Sequence, residues 1–156
     1  MTDHAKANAL SHVESILALI EAYIALRYGE AESVEYEGDT YEDADDLERR
    51  VHEYPLSVDV RSGWTIPGED MEGAEYQILL TTGGPACRIW GELDVSGTPD
   101  GAIVQWQDWG TPWERACLFP MPADSEGVEA FRAWQEEIER RDKAVIEFAR
   151  MHYYGG

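Results

Sequence analysis

The stretch EYQILLTTGGPACRIWGELD, at residues 75–94, carries the strongest signal for the fold. It predicts one strand from Glu75 to Thr81 and another from Ala86 to Val95, joined by the turn Thr82-Gly83-Gly84-Pro85. A turn this short joins antiparallel neighbours, because parallel strands need a long crossover between them. The sequence therefore predicts an antiparallel hairpin at the centre of the fold.

Further strands are predicted on both sides of this hairpin. Residues 56–60 alternate Leu, Val and Val with polar side chains, the pattern of a strand with one wet face. A turn at 97–101 leads into a strand over 102–108, and a weaker fifth strand covers 113–118. Short turns between successive strands predict an antiparallel meander sheet of four to five strands within 56–118.

Two long helices flank the predicted sheet. Apolar residues recur at three- and four-residue steps from Leu10 to Ile24, which predicts a helix over 1–28. Its wide stripe indicates a core helix, and a helix-on-helix homodimer is the alternative. Ser125 is the predicted N-cap of a second helix over 125–150. We expect an α+β fold, a single domain over 1–156, with both helices packed on the sheet.

The formal charge is the most unusual property of the chain. The 156 residues hold 32 Asp and Glu against 12 Lys and Arg, a net charge of −20. A surface of this sign repels nucleic acid and anionic lipid and favours basic grooves, so we expect no direct nucleic-acid binding. Solubility, a high-salt host or G+C-rich coding would each explain the acidity without a function.

The cellular location is inferred from what the sequence lacks. Cys87 and Cys117 form no Cys-x-x-Cys pair, which fits a reducing compartment. The N-terminus has no secretory signal pattern, and no run approaches the roughly 18 continuous apolar residues of a membrane span. We expect a cytoplasmic protein with no membrane partner.

Acidic side chains concentrate in residues 30–53, where eleven face only Arg49 and Arg50. The sequence predicts a loop at Gly38-Asp39-Thr40 and then a short helix over 41–53. The alternative is a solvated connector or a flexible flap. The candidate binding carboxylates are Glu35, Glu37, Asp39, Glu42, Asp43, Asp45, Asp46 and Glu48, with Glu69, Asp70 and Glu72 from the middle of the chain.

A tryptophan-rich segment follows the fourth predicted strand. Three tryptophans, Trp106, Trp109 and Trp113, surround a Gly-Thr-Pro turn. On a regular strand Trp106 and Trp109 point to opposite faces, so we expect at least one to be exposed. Exposed tryptophan beside charge is typical of binding hot spots, and we take Trp109 and Trp113 as candidate anchors. The alternative is that they cover the sheet.

No motif predicts catalysis, a metal site or a cofactor. The four histidines lack metal-ligand spacing, and the acidic run lacks the oxygen pattern of a calcium loop. Residues 81–84 are Gly-rich, but Pro85 and a strand follow them where a phosphate cradle needs a helix. An enzyme whose site residues converge from distant positions is the remaining catalytic alternative.

Four strings of the sequence resemble a family of small phage and prophage proteins. They are LSVDVRSGW at 56–64, EYQILLTTGGPA at 75–86, QDWGTPW at 107–113 and FARMHYYG at 148–155. The resemblance implies a mobile element inside bacteria, and it carries no activity or catalytic residues. In that setting, a small acidic protein is expected to inhibit a host defence protein by presenting charge that imitates DNA.

The leading hypothesis is therefore a non-enzymatic inhibitor of the anti-CRISPR or anti-restriction type. It would fill the basic nucleic-acid groove of a host protein with carboxylates that replace phosphates. The alternative is a phage structural or assembly accessory protein that binds through its apolar helices and the Trp-rich corner.

Overall fold

The α+β fold is confirmed by the structure, a computed structural model that describes residues 2–69 and 73–155. Three α-helices and seven strands follow one another along these residues. They are α1 (Thr2–Arg27), β1 (Val34–Tyr36), β2 (Asp39–Tyr41), α2 (Ala44–Glu53), β3 (Ser57–Ser62), β4 (Gly73–Thr81), β5 (Pro85–Glu92), β6 (Ile103–Asp108), β7 (Glu114–Arg115) and α3 (Gly127–Arg150).

The predicted meander is confirmed, since strands β3 to β7 form one sheet in sequence order and each is antiparallel to the next. The fifth strand is shorter than predicted. Only Glu114 and Arg115 pair with β6, and Pro112 and Pro120, which lack an N–H donor, stand on either side of them.

The two faces of the sheet differ in chemistry. Ile78, Ile89 and Val104 lie side by side across β4, β5 and β6 and are buried. We call this the inner face. Gln77, Arg88 and Gln105 occupy alternate positions on the same strands and therefore point to the opposite, outer face.

Helix α1 covers the inner face. It contacts β5, β6 and α3, and its residues Val13, Ile16, Leu19 and Ile20 are buried in the core. Most of the apolar stripe is thus buried within the chain's own core, whereas Leu10, Tyr23, Ile24 and Leu26 are half-buried. The homodimer stays a prediction.

By length and mean hydropathy, the segment Asp3–Arg27 passes as a membrane-spanning candidate. The buried central helix of a folded core passes the same criteria. The packing of α1 against the sheet and α3 is of that kind.

Helix α3 begins differently from the prediction. Ser125 does not cap it, because residues Asp124–Glu126 form a 3₁₀ turn before the helix. The backbone N–H of Ala123 donates instead to the Glu126 carboxylate at 3.2 Å. Val128 and Phe131 in the first turns are exposed, whereas Val145 and Phe148 near the end are buried. Helix α3 therefore contributes to the core mainly through its C-terminal half.

Gly91 allows β5 to approach the segment before β6 closely. A Cβ at Gly91 would collide with the Gly101 carbonyl oxygen and lie 2.8 Å from Cε1 of Tyr76. The Tyr76 hydroxyl donates to that same carbonyl at 2.6 Å. The absence of a side chain at Gly91 is therefore required for this contact.

We predict that Gly91→Ala lowers the free energy of unfolding by about 1–3 kcal/mol, the usual cost of overpacking. Urea denaturation followed by circular dichroism measures it. Gly101→Ala is the matched control, since a Cβ there meets nothing within 4 Å. Equal stability of the two variants would contradict the close approach.

Candidate functional site

The acidic segment begins with a β-hairpin rather than a loop. Val34, Glu35 and Tyr36 pair with Tyr41, Thr40 and Asp39. The connection is only Glu37-Gly38, and both have positive φ, 51° and 85°. This is the signature of a tight two-residue turn that matches the strand twist. The prediction of a loop over Gly38-Asp39-Thr40 was wrong for Asp39 and Thr40, because two residues suffice to reverse the chain.

The predicted short helix is present, but it begins at Ala44 instead of Tyr41, which ends β2. Asp43 caps the helix, and its carboxylate accepts the N–H of Asp45 at 3.0 Å. Leu47 and Val51 on the opposite side are buried against the core, and α2 packs on α1. Because one side of α2 is buried, the carboxylates on its other side face water.

An ion pair joins the hairpin to the helix. Arg50 of α2 pairs with the Glu37 carboxylate in the turn, and its guanidinium carbon lies 5.2 Å from the centre of the Tyr36 ring. Tyr36 is buried, its hydroxyl has no hydrogen-bond partner among the described residues, and burial raises its pKa. We refer to residues 34–53, the hairpin and the helix that this contact joins, as the acidic module.

The candidate carboxylates of the module face solvent. Three of them are engaged within it: Glu37 by Arg50, Asp43 as the helix cap, and Asp46 by Arg49 at 3.5 Å. Glu48 is half-buried. Glu35, Asp39, Glu42 and Asp45 are exposed and form no salt bridge within the described part of the chain. Of the eight candidate carboxylates in the module, these four are the most available to a partner.

Three further carboxylates were predicted to belong to this surface. Glu69 is exposed in the connection between β3 and β4. Asp70 and Glu72 lie outside the described residues, so their part in the site stays a prediction.

The tryptophans are distributed as the alternation predicts. Trp106 is buried on the inner face, whereas Trp109 is 79% exposed beyond the end of β6. The Trp109 ring lies against the backbone of Gly84, where an added Cβ would be 2.8 Å from its Nε1. Trp113 is half-buried beneath Arg88, whose guanidinium carbon lies 4.3 Å from its ring centre.

Trp113 and the acidic module do not form one surface. The module packs on α1, which covers the inner face. Trp113 lies with Arg88 on the outer face. If Trp113 anchors a partner, it does so on a different surface from the carboxylates of the module.

Sequence reasoning missed the cluster of Arg88, Gln77 and Gln105 on the outer face. The available signal was the alternation of Cys87 and Ile89 with Arg88 and Trp90 along β5, which marks a polar face. Their mutual contact also requires the register of three strands, and no motif in the sequence gives that register.

Two histidines that are far apart in sequence meet at the ends of α2 and α3. The rings of His52 and His152 lie 5.8 Å apart. The ring nitrogens of His152 lie 2.9 Å from the Phe148 carbonyl oxygen and 3.1 Å from that of Val51. Burial lowers the pKa of His152. These contacts join the two helix ends, and the described residues contain no group of three or more metal-binding side chains.

Comparisons with family models, with curated proteins and with solved structures find no match for this chain. The resemblance to phage and prophage proteins therefore stays a prediction.

We predict that Gly38→Ala destabilises the hairpin, because its φ of 85° is strained for a residue with a Cβ. We expect the free energy of unfolding, or of local opening, to fall by about 1 kcal/mol. Amide hydrogen exchange in residues 34–41 measures the local change, with Gly101→Ala as the control at a position without positive φ. Unchanged protection in the hairpin would contradict the two-residue turn.

Proposed function

We propose that this chain is a non-enzymatic, acidic binding protein whose acidic module fills the basic nucleic-acid groove of another protein. The carboxylates take the place of phosphates, so the bound partner is kept from its nucleic acid. In the bacterial setting that the resemblance implies, the partner is a host nucleic-acid-binding protein, such as a CRISPR effector or a restriction enzyme.

The observation that carries this proposal is the concentration of charge on ordered backbone. Eleven acidic side chains and only two arginines fall within residues 30–53. Most of these carboxylates belong to a hairpin and a helix that are joined through Arg50 and Glu37. Fixed charges lose less conformational freedom on binding than charges on a flexible chain, and preorganisation of this kind favours affinity.

Charge of this sign and density also favours fast encounter with a basic groove. Complementary potentials steer association and weaken as salt screens them, since the Debye length falls from about 10 Å at 0.1 M to about 3 Å at 1 M ionic strength. Direct binding of nucleic acid is disfavoured by the same field, given the net charge of −20.

We predict that neutralising four exposed, unpaired candidate carboxylates of the module weakens binding to DNA-binding proteins. The variant is Glu35→Gln, Asp39→Asn, Glu42→Gln and Asp45→Asn, which leaves the Asp43 cap and the Glu37–Arg50 pair intact. The immobilised chain is exposed to bacterial lysate at roughly 50 mM and 500 mM salt, with and without competing duplex DNA. Partners of the wild-type chain should be released by salt and by DNA.

The matched control removes the same number of charges elsewhere. Glu129, Glu136, Glu139 and Asp142 are exposed on α3 and form no salt bridge among the described residues, so their Gln and Asn variants have the same net charge as the module variant. This control should keep the partners that the module variant loses. Equal loss in both variants, or retention that salt and DNA do not change, would contradict the proposal.

A second candidate function is supported by the exposure of Trp109. An assembly accessory protein would bind through this aromatic corner, with a large apolar contribution and little dependence on salt. In the same lysate experiment, this function requires partners that persist in high salt and are lost in Trp109→Ala but not in Trp64→Ala. Trp64 is the control because it is an exposed tryptophan outside this corner.

A further inference from the structure

The outer face of the sheet holds a groove that the module does not use. Its volume is about 250 Å³, and no helix of the described residues packs over it. Its lining side chains come from three neighbouring strands and combine both charges with an indole. Besides Val60 and Tyr76, they are Asp59, Arg61, Glu75, Gln77, Arg88 and Trp90.

Arg88 is fixed in this groove by neutral groups. Its Nε donates to Oε1 of Gln105 at 2.8 Å, and its Nη1 donates to Oε1 of Gln77 at 2.6 Å. Trp113 supports the guanidinium from below at 4.3 Å. Two amide acceptors and an aromatic ring therefore set the position and plane of the cation before any ligand arrives.

Arg88 has no counter-charge of its own. It forms no salt bridge within residues 2–69 and 73–155, and the nearby Glu75 carboxylate pairs with Arg61 at 2.6 Å. Burial, followed by repulsion from Arg61, lowers the pKa of Arg88, and attraction to the nearby Glu75 carboxylate opposes this shift. Two of its five N–H groups donate to the glutamines, so three have no side-chain or backbone acceptor among the described residues and are available to a ligand.

Arg88 is oriented by neutral side chains and not by a carboxylate. A half-buried cation is costly unless a partner compensates it, and 32 acidic residues were available to do so. The neutral glutamines orient Arg88 and leave part of its guanidinium free. Two neutral hydrogen-bond acceptors that orient a guanidinium without neutralising it favour the binding of an anion to its remaining N–H groups.

We propose that Arg88 binds a carboxylate group on the outer face of the sheet, carried by a small organic acid or by a peptide C-terminus. The planar carboxylate matches the guanidinium, and the Trp90 ring that lines the groove offers apolar surface to the body of the ligand. Asp59 and Glu75 line the same groove, so a doubly charged phosphate is repelled more strongly than a single carboxylate.

The test is a titration of the isotope-labelled chain with benzoate, followed by NMR. Binding should shift the indole N–H signals of Trp90 and Trp113 and the Nε–H signal of Arg88 in a saturable manner. Benzamide, which has the same ring without the charge, should leave them unchanged, and inorganic phosphate should bind more weakly than benzoate. Equal shifts with benzamide would overturn the proposal.

Three variants separate recognition by Arg88 from general effects of charge. Arg88→Met should abolish the shifts. Gln105→Glu keeps the size of the side chain but supplies an internal carboxylate to Arg88, so benzoate affinity should fall by about tenfold or more. Arg132→Gln removes an exposed cation on α3 and should have no effect. Undiminished affinity in Gln105→Glu would overturn the proposal even if Arg88→Met fails to fold.

A final comparison distinguishes the two carboxylate sources. A short peptide with a free C-terminus and its amidated form are titrated alongside benzoate. Tighter binding of the free peptide than of benzoate supports a chain terminus, and weaker binding supports a small acid. Equal binding of the free and amidated peptides, with shifts at Arg88, would contradict carboxylate recognition.

Discussion

The burial of the inner sheet face beneath α1 is the constraint on which the other features depend. Ile78, Ile89 and Val104 form a continuous apolar row across three strands, and such a row is stable only when it is removed from water. Helix α1 provides that cover. Because α1 also packs against β1 and α2, it places the acidic module on the helical side of the molecule.

The period of two along each strand then determines the outer face. Side chains alternate between the two faces of a strand, so β5 places Ile89 on the inner face and its neighbours Arg88 and Trp90 on the outer face. The protein therefore has two chemically distinct surfaces on opposite sides of one sheet. One side has the carboxylates of the module, and the other has a fixed guanidinium among glutamines and indoles.

The acidic module shows how a charged segment remains ordered. Leu47 and Val51 anchor α2 in the core, Asp43 caps its first turn, and Arg50 pairs with Glu37. The exposed ion pair alone contributes only about 0–1 kcal/mol, so most of the order comes from the buried leucine and valine. Charge repulsion among the remaining carboxylates is tolerated because the backbone beneath them is held by apolar contacts.

Much of the fold was predictable because its signals are local. The alternation of apolar and polar residues predicted the meander, and the three- and four-residue spacing of apolar residues from Leu10 to Ile24 predicted α1. The hairpin at Glu37-Gly38 was missed because its strands have only three residues each, too few to show a period. Ser125 was misassigned because a cap residue followed by acids also fits a 3₁₀ turn. The Arg88 cluster and the His52–His152 contact depend on register and helix packing, which no local pattern contains.

The central claim is that the carboxylates of residues 34–53 are held on rigid backbone. Backbone ¹⁵N relaxation of the free chain tests it most directly. The account predicts order parameters near those of β4 and β5, about 0.85, throughout the hairpin and α2. Values below about 0.6 across residues 34–53 would show a flexible acidic segment and contradict the account.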